Sequence, residues 1–239
     1  MPDIVFPIIT LSIGAAIAGY AWRRSRTVAL VTLGWAVLSL ATARIDYFET
    51  VGTWSEGDEA GSTLFNIVGG VPVVLLVLAW WRLPAFRSFV MGTPSWVFAL
   101  SQVYRVTGIS LLFLYADDLL PAEIGVTNAV MDVVIGLTAP LVAVALHRGV
   151  AWARAGAIAW NVFGLADFVI AGAFISLSLR GVIELSPAPS QMGIYPVSLI
   201  TVYQVAIAFF VHIVLLWRLV RRPHAAADQM GEQGAAVSL

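Results

Sequence analysis

Residues 123–146 read EIGVTNAVMDVVIGLTAPLVAVAL. After the opening glutamate, Asp132 is the one ionisable side chain in an apolar run long enough to cross a bilayer core, which takes roughly 20 helical residues. Asn128, Asp132, Gly136 and Pro140 recur every fourth residue, so a helix gathers them on one side and leaves the rest of its circumference apolar. A stripe that mixes polar with small residues belongs to a helix packed on protein or on a polar cavity, with its other faces toward lipid.

The same pattern repeats along the chain. Stretches near 4–22, 27–48, 64–81, 95–116, 155–178 and 196–219 are comparably long and apolar. With 123–146 they make seven spans and predict an all-α integral membrane bundle over 1–222, followed by a mobile tail over 223–239. Gly69, Gly70 and Pro72 predict a bend in the third span. Thr93-Pro94 reads as an N-cap followed by a first-position proline that starts the fourth.

Composition agrees. Of 239 residues 60% are apolar and 11% charged, against about 25% charged in soluble domains, and the mean hydropathy is +0.90. Disordered chains are charge-rich, so disorder is excluded, and a net charge of −1 argues against nucleic-acid binding. The chain has no cysteine, hence no disulfide, thiolate metal site or iron–sulfur cluster. All 13 basic residues are arginine, so no lysine can carry a retinal Schiff base.

The arginines also give a direction. Arg23, Arg24, Arg26, Arg82, Arg87, Arg148, Arg154, Arg218, Arg221 and Arg222 fall in one set of connections and Arg180 alone in the other. The second set holds Asp3, Glu49, Glu56, Asp58, Glu59, Asp117, Asp118, Glu123 and Glu184. Positive charge stays inside, which predicts the N-terminus outside, the C-terminus in the cytoplasm and a bacterial inner membrane. The basic cluster follows the first apolar run, so this run reads as an uncleaved anchor. No connection is long enough to fold as a nucleotide-binding or effector domain.

A charge at the bilayer centre costs at least about 2.5–3.5 kcal/mol, so an intramembrane ionisable residue faces the bundle and finds a partner. Counting about 1.5 Å per residue from the outer ends puts Arg105 roughly 16 Å deep, Asp132 about 14 Å, Asp167 about 16 Å and Gln204 about 12 Å. The faces fit this layer: Ser101, Gln102, Arg105 and Gly108 share a side of the fourth span, and Thr201, Gln204, Ala208 and His212 a side of the seventh. Arg105 can neutralise one carboxylate; the second would then lie unpaired in low dielectric and hold a proton. The candidate binding residues are therefore Arg105, Asp132 and Asp167, with Asn161, Gln204, Gln102 and Asn128 as neutral hydrogen-bonding groups and His212 as a proton-relay candidate. A static clamp that fixes helix register is the alternative role for the same residues. Arg44 and Asp46 near the outer boundary read as interfacial. His147 and His212 differ in depth by roughly 9 Å, unsuited to a shared haem, and no cofactor or metal is expected.

Four pieces of the central section carry a resemblance: Arg105-x-x-Gly108, Leu120-Pro121, Asp132-x-x-x-Gly136 and Trp160-Asn161-x-x-Gly164-x-x-Asp167. Over about 104–170 the chain resembles an uncharacterised family of small bacterial multi-spanning proteins. The resemblance implies no activity; it places Arg105, Asp132, Asn161 and Asp167 among that family's characteristic polar positions. The family commonly has glycine before the middle aspartate, where this chain has Met131. In outline the architecture is also similar to microbial rhodopsins, without their lysine, and to small sugar transporters of three helices, a linker helix and three more, without their proline-glutamine signature.

Three functions follow as expectations. The first is a midplane polar site that binds or moves a small solute, ion or proton. The second is a ligand-binding or sensory module acting through a protein partner, and the third an integral-membrane enzyme acting on lipid. The bilayer itself is the one certain surrounding, a lipid ligand fits any of the three, and homo-oligomerisation is left open.

Overall fold

The computed structural model describes residues 2–44 and 59–221. Asp46, Glu49, Glu56, Asp58 and the tail after Arg221 lie outside this range. Among the described residues, seven helices are long and apolar enough to cross a membrane: Ile4–Trp22, Arg26–Ala43, Ser62–Arg82, Ser95–Ala116, Ala122–Arg148, Ala153–Leu179 and Ile200–Arg221. Among the described residues there is no strand. This is the composition of a multi-pass membrane protein, and the boundaries lie within a few residues of those read from the sequence, as fraying ends allow.

The seventh helix is the axis of the bundle. Some 61% of its best apolar window is buried, against 11% for the third helix. Many large apolar side chains on the outer helices are exposed, among them Leu30, Val31, Val74, Phe113, Leu137 and Val169, as a surface meeting hydrocarbon requires. Close packing of the first two helices uses a small residue: a β-carbon at Gly14 would lie 3.0 Å from Ala36 Cβ and 3.1 Å from Tyr203 Oη. Ala18, one turn on, is buried as well, whereas Gly19 has nothing within 4 Å. Gly14 and Ala18 therefore belong to the packed face of that helix and Gly19 to the open one.

The arginine end is closed by its own cations. Arg154 Nε donates to the carbonyl of Leu219 at 2.9 Å. The buried Arg218 donates to the carbonyls of Thr93 and Val90, satisfying acceptors at the end of a short helix, Pro84–Gly92, that joins the third and fourth spans. Here the cap read from sequence is corrected. Thr93 terminates the short helix, its hydroxyl donating back to Phe89 O at 2.8 Å, and Pro94 rather than Thr93 is the N-cap of the next. With Thr93 turned back onto its own helix, no side-chain cap bond starts the following one.

Two apolar cores stack along the bundle. One, at the arginine end, includes Ala99, Ile135, Trp160 and Val211; the other includes Leu111, Ala129, Ile175 and Leu199. Arg105, Asp132 and Asp167 fall between these pairs on the fourth, fifth and sixth helices. The charged residues thus occupy a layer sandwiched by hydrocarbon side chains.

Candidate functional site

The fourth helix is irregular where it matters. Between α-helical turns, Gln102–Ile109 is a 3-10 helix, and runs of that geometry longer than three or four residues are uncommon. With three residues per turn, Gln102, Arg105 and Gly108 line up in one row along the segment. That row faces the fifth helix at very short range. A β-carbon at Gly108 would fall 2.6 Å from Asp132 Oδ2 and 2.8 Å from its Cγ. One at Gly136 would run into the backbone nitrogen of Val106. Two glycines, one on each helix, let the backbones approach until Asp132 meets Arg105.

Arg105 uses all three nitrogens of its fork. Nε donates to Asp132 Oδ1 and Nη2 to Asp167 Oδ2, and Nη1 lies 3.1 Å from His212 Nε2. The guanidinium carbon sits 4.4 Å from the centre of the Phe168 ring, a cation–π contact strengthened by the burial of Arg105. Arginine has no acceptor, so His212 Nε2 must accept. Its proton is then on Nδ1, which donates to Asn161 Oδ1 at 2.9 Å. Asn161 Nδ2 passes the chain on to the carbonyl of Ala157 at 2.6 Å. Every link has a defined direction, and the imidazole in it is neutral.

The remaining walls are aromatic or missing. Trp160 and Phe168 flank His212, with ring centroids 5.1 and 6.2 Å away, and Trp160 Nε1 donates to Thr138 Oγ1 at 2.9 Å. On the other side Gly164 leaves room: a β-carbon there would lie 2.5 Å from His212 Cε1 and 3.2 Å from Arg105 Nη1. Beside the two carboxylates is a cavity of about 60 Å³, lined among others by Tyr104, Asn128, Asp132, Asp167, Met192 and Gln204. Asp132 opens toward it with 19% of its side chain exposed, against 2% for Asp167. Asp167 Oδ1 and Asn128 Oδ1 are buried with no hydrogen-bond partner among the described residues.

The structure thus brings together Arg105, Asp132, Asp167, Asn161 and His212. Two expectations are revised. Arg105 bridges both carboxylates instead of pairing with one, because a guanidinium can offer separate edges to separate partners. His212, a relay candidate from the sequence, touches the cluster directly although its position in the helix lies nearer the arginine end, because the long Arg105 side chain reaches it. Gln204 and Gln102, conversely, do not contact the charges. Gln204 lines the cavity, but its amide donates to Thr10 Oγ1 at 3.4 Å. Gln102 is buried with its amide on Ser101 Oγ at 3.3 Å and does not line the cavity. His147 packs edge-on against Trp96 at the arginine end.

Two participants have no obvious signal in the sequence. Phe168 is one aromatic among many, marked only by following Asp167. Tyr104 donates from its hydroxyl to the carbonyl of Gln204 at 3.0 Å, at the end of a π-helical turn, Ile200–Gln204, which opens the seventh helix. Widened turns of this kind are frequent at functional sites. Two irregular helical segments therefore meet at the cavity, joined by one tyrosine.

Residues 62–220 match the family model described as a domain of unknown function, DUF8737. The chain belongs to this family. No curated protein and no solved structure matches it. The DUF8737 region contains Arg105, Asp132, Asn161, Asp167, Gln204 and His212, so the whole charged centre lies inside it. The first two helices, with Thr10, precede it.

Proposed function

We propose that this is a multi-pass protein of a bacterial inner membrane, N-terminus outside, whose Arg105–Asp132–Asp167 centre reversibly binds a proton and exchanges it with the adjoining cavity. The observation that carries this reading is a charge count. Arg105 contributes one positive charge to two carboxylates, and the third group on its fork, His212, accepts and is neutral. Among the described residues no other ionisable acid or base lines the cavity apart from the weakly acidic Tyr104. With both aspartates ionised the buried cluster is one negative charge in excess, which costs several kcal/mol in a low-dielectric interior. One proton, or a small cation in its place, restores balance.

Size supports the proton over a solute. Sites for drug-sized ligands run to about 300–1,000 Å³, whereas the cavity measures about 60 Å³, room for only a few waters. Asp132, the more open carboxylate, is the exchanging group in this reading, and Asp167 the fixed partner of Arg105. The ten arginines of one end support the orientation. A lipid-modifying enzyme has less support, since both ring nitrogens of His212 are already engaged.

Two measurements test this together. Proteoliposomes loaded with a pH-sensitive dye report proton flux after a pH jump, and infrared difference spectra report a protonated-carboxyl C=O stretch. The wild type is expected to show the stretch and to lose it in Asp132→Asn. Flux that survives the combined Asp132→Asn and Asp167→Asn change would overturn the assignment. A titrating carboxyl without flux would select the sensory reading, with proton binding kept and transport abandoned.

A further inference from the structure

A second, much larger cavity reaches from the arginine end past the middle of the bundle. It measures about 940 Å³ and lies between the first two helices, the short helix Pro84–Gly92 and the fourth and seventh helices. Its walls are hydrocarbon and aromatic: Ala16, Tyr20, Val31, Trp35, Phe89 and Tyr104 mark its extent. So apolar a space offers water few partners. On the first helix it runs from Ile8 to Tyr20, roughly 18 Å at about 1.5 Å per residue. That is close to one leaflet, half of a hydrocarbon core about 30 Å thick.

The mouth is charged with one sign. Tyr20, Thr27, Leu83 and Pro84 line the cavity at the arginine end. Arg24 places its guanidinium 4.2 Å from the centre of the Tyr20 ring and donates to the Tyr20 carbonyl. Arg26 adjoins Thr27, Arg82 adjoins Leu83, and Arg87 follows Phe86; all four arginines are exposed. Neither 20–30 nor 82–98 contains an acidic residue. Basic pockets between helices on this side of a membrane suit anionic lipid headgroups.

We propose that this cavity holds one acyl chain of an anionic phospholipid from the arginine-side leaflet, with the headgroup on Arg24 and its neighbouring arginines. The end of the chain abuts Tyr104, which also lines the small polar cavity beside Arg105. This inference stands apart from the proton reading, since it uses neither aspartate.

The full chain purified in mild detergent is examined by native mass spectrometry, and its melting is followed in vesicles of phosphatidylglycerol or phosphatidylcholine. Wild type is expected to retain one phosphatidylglycerol and to melt higher in phosphatidylglycerol. Ala16→Phe and Val31→Trp, two exposed wall positions whose larger side chains fill the space without entering a packed core, should fold and lose the lipid. Arg24→Gln with Arg87→Gln should keep the fold and weaken phosphatidylglycerol binding by about tenfold or more. Wild-type retention in both cavity-filling variants, or equal retention of phosphatidylcholine, overturns the proposal. So does a wild type that carries no lipid and melts identically in both vesicles.

Discussion

Gly164 lies so close to His212 that a β-carbon there would sit 2.5 Å from Cε1 and 2.6 Å from Nε2 of the imidazole. The ring cannot easily retreat. Trp160 and Phe168 flank it, Asn161 holds Nδ1, and the side chain is fully buried. Overpacking at such a place typically costs about 1–3 kcal/mol. Gly164→Ala is therefore expected to lower the melting temperature, and Gly164→Val to lower it further. Gly172→Ala on the same helix, with nothing within 4 Å, serves as the control and should melt as wild type. Equal melting of Gly164→Ala and Gly172→Ala would show that the ring gives way freely.

Gly108 and Gly136 hold the fourth and fifth helices together from both sides. An added methyl at Gly108 would meet Asp132 Cβ at 2.4 Å, and one at Gly136 the backbone nitrogen of Val106 at 2.4 Å. Neither atom can turn aside without its helix. Gly108→Ala and Gly136→Ala should therefore both lower the melting temperature, and Gly108→Ala should also displace the Asp132 carboxyl from Arg105. Thermal melting checks the first expectation, and an infrared carboxyl band unchanged in Gly108→Ala would overturn the second.

Arg105→Lys keeps the charge and removes the fork. An ammonium is a compact point charge and cannot place separate N–H groups on Asp132, Asp167 and His212 in the directions seen here. The variant should be less stable than wild type, and Arg105→Leu less stable again, since unpairing a buried charge costs about 3–5 kcal/mol. A lysine variant that melts with the wild type would mean that charge alone, not geometry, holds the three helices.

The two aspartates should couple. Asp132→Asn or Asp167→Asn leaves one carboxylate on Arg105, a balanced pair, so each single change is expected to cost little. Removing both leaves a buried guanidinium without a counter-charge. The double variant should be destabilised by more than the sum of the singles, the signature of residues sharing one partner. A denaturation cycle on the four proteins measures the excess, and strict additivity would place the two carboxylates on independent partners.

Much of this was legible in the residues. Span length and hydropathy are properties of contiguous sequence, because a helix in lipid satisfies its own backbone and needs no neighbour to form. That is why seven helices, the arginine end and the shared layer of Arg105, Asp132 and Asp167 could be read before any contact was known. Rotation within a helix was legible too, through the stripes. What a stripe cannot say is which neighbour it meets, or how near.

Those answers came from tertiary structure. Arg105 holds two carboxylates and a histidine because Gly136 lets the fourth and fifth helices meet at the backbone while Gly108 and Gly164 leave room for the side chains of Asp132 and His212, a relation spread over distant positions. The 3-10 turn around Arg105 and the π turn before Val205 depend on packing between helices, and no local propensity announces them. Gln204 shares the depth of the charges yet finds its partner on Thr10, since depth fixes a layer and leaves the angle around the bundle free; Gln102 shares the face of Arg105 but sits one turn away, on Ser101. The sequence determined the layer in which this protein's two buried aspartates must lie; only the packed bundle decided that one arginine would serve both.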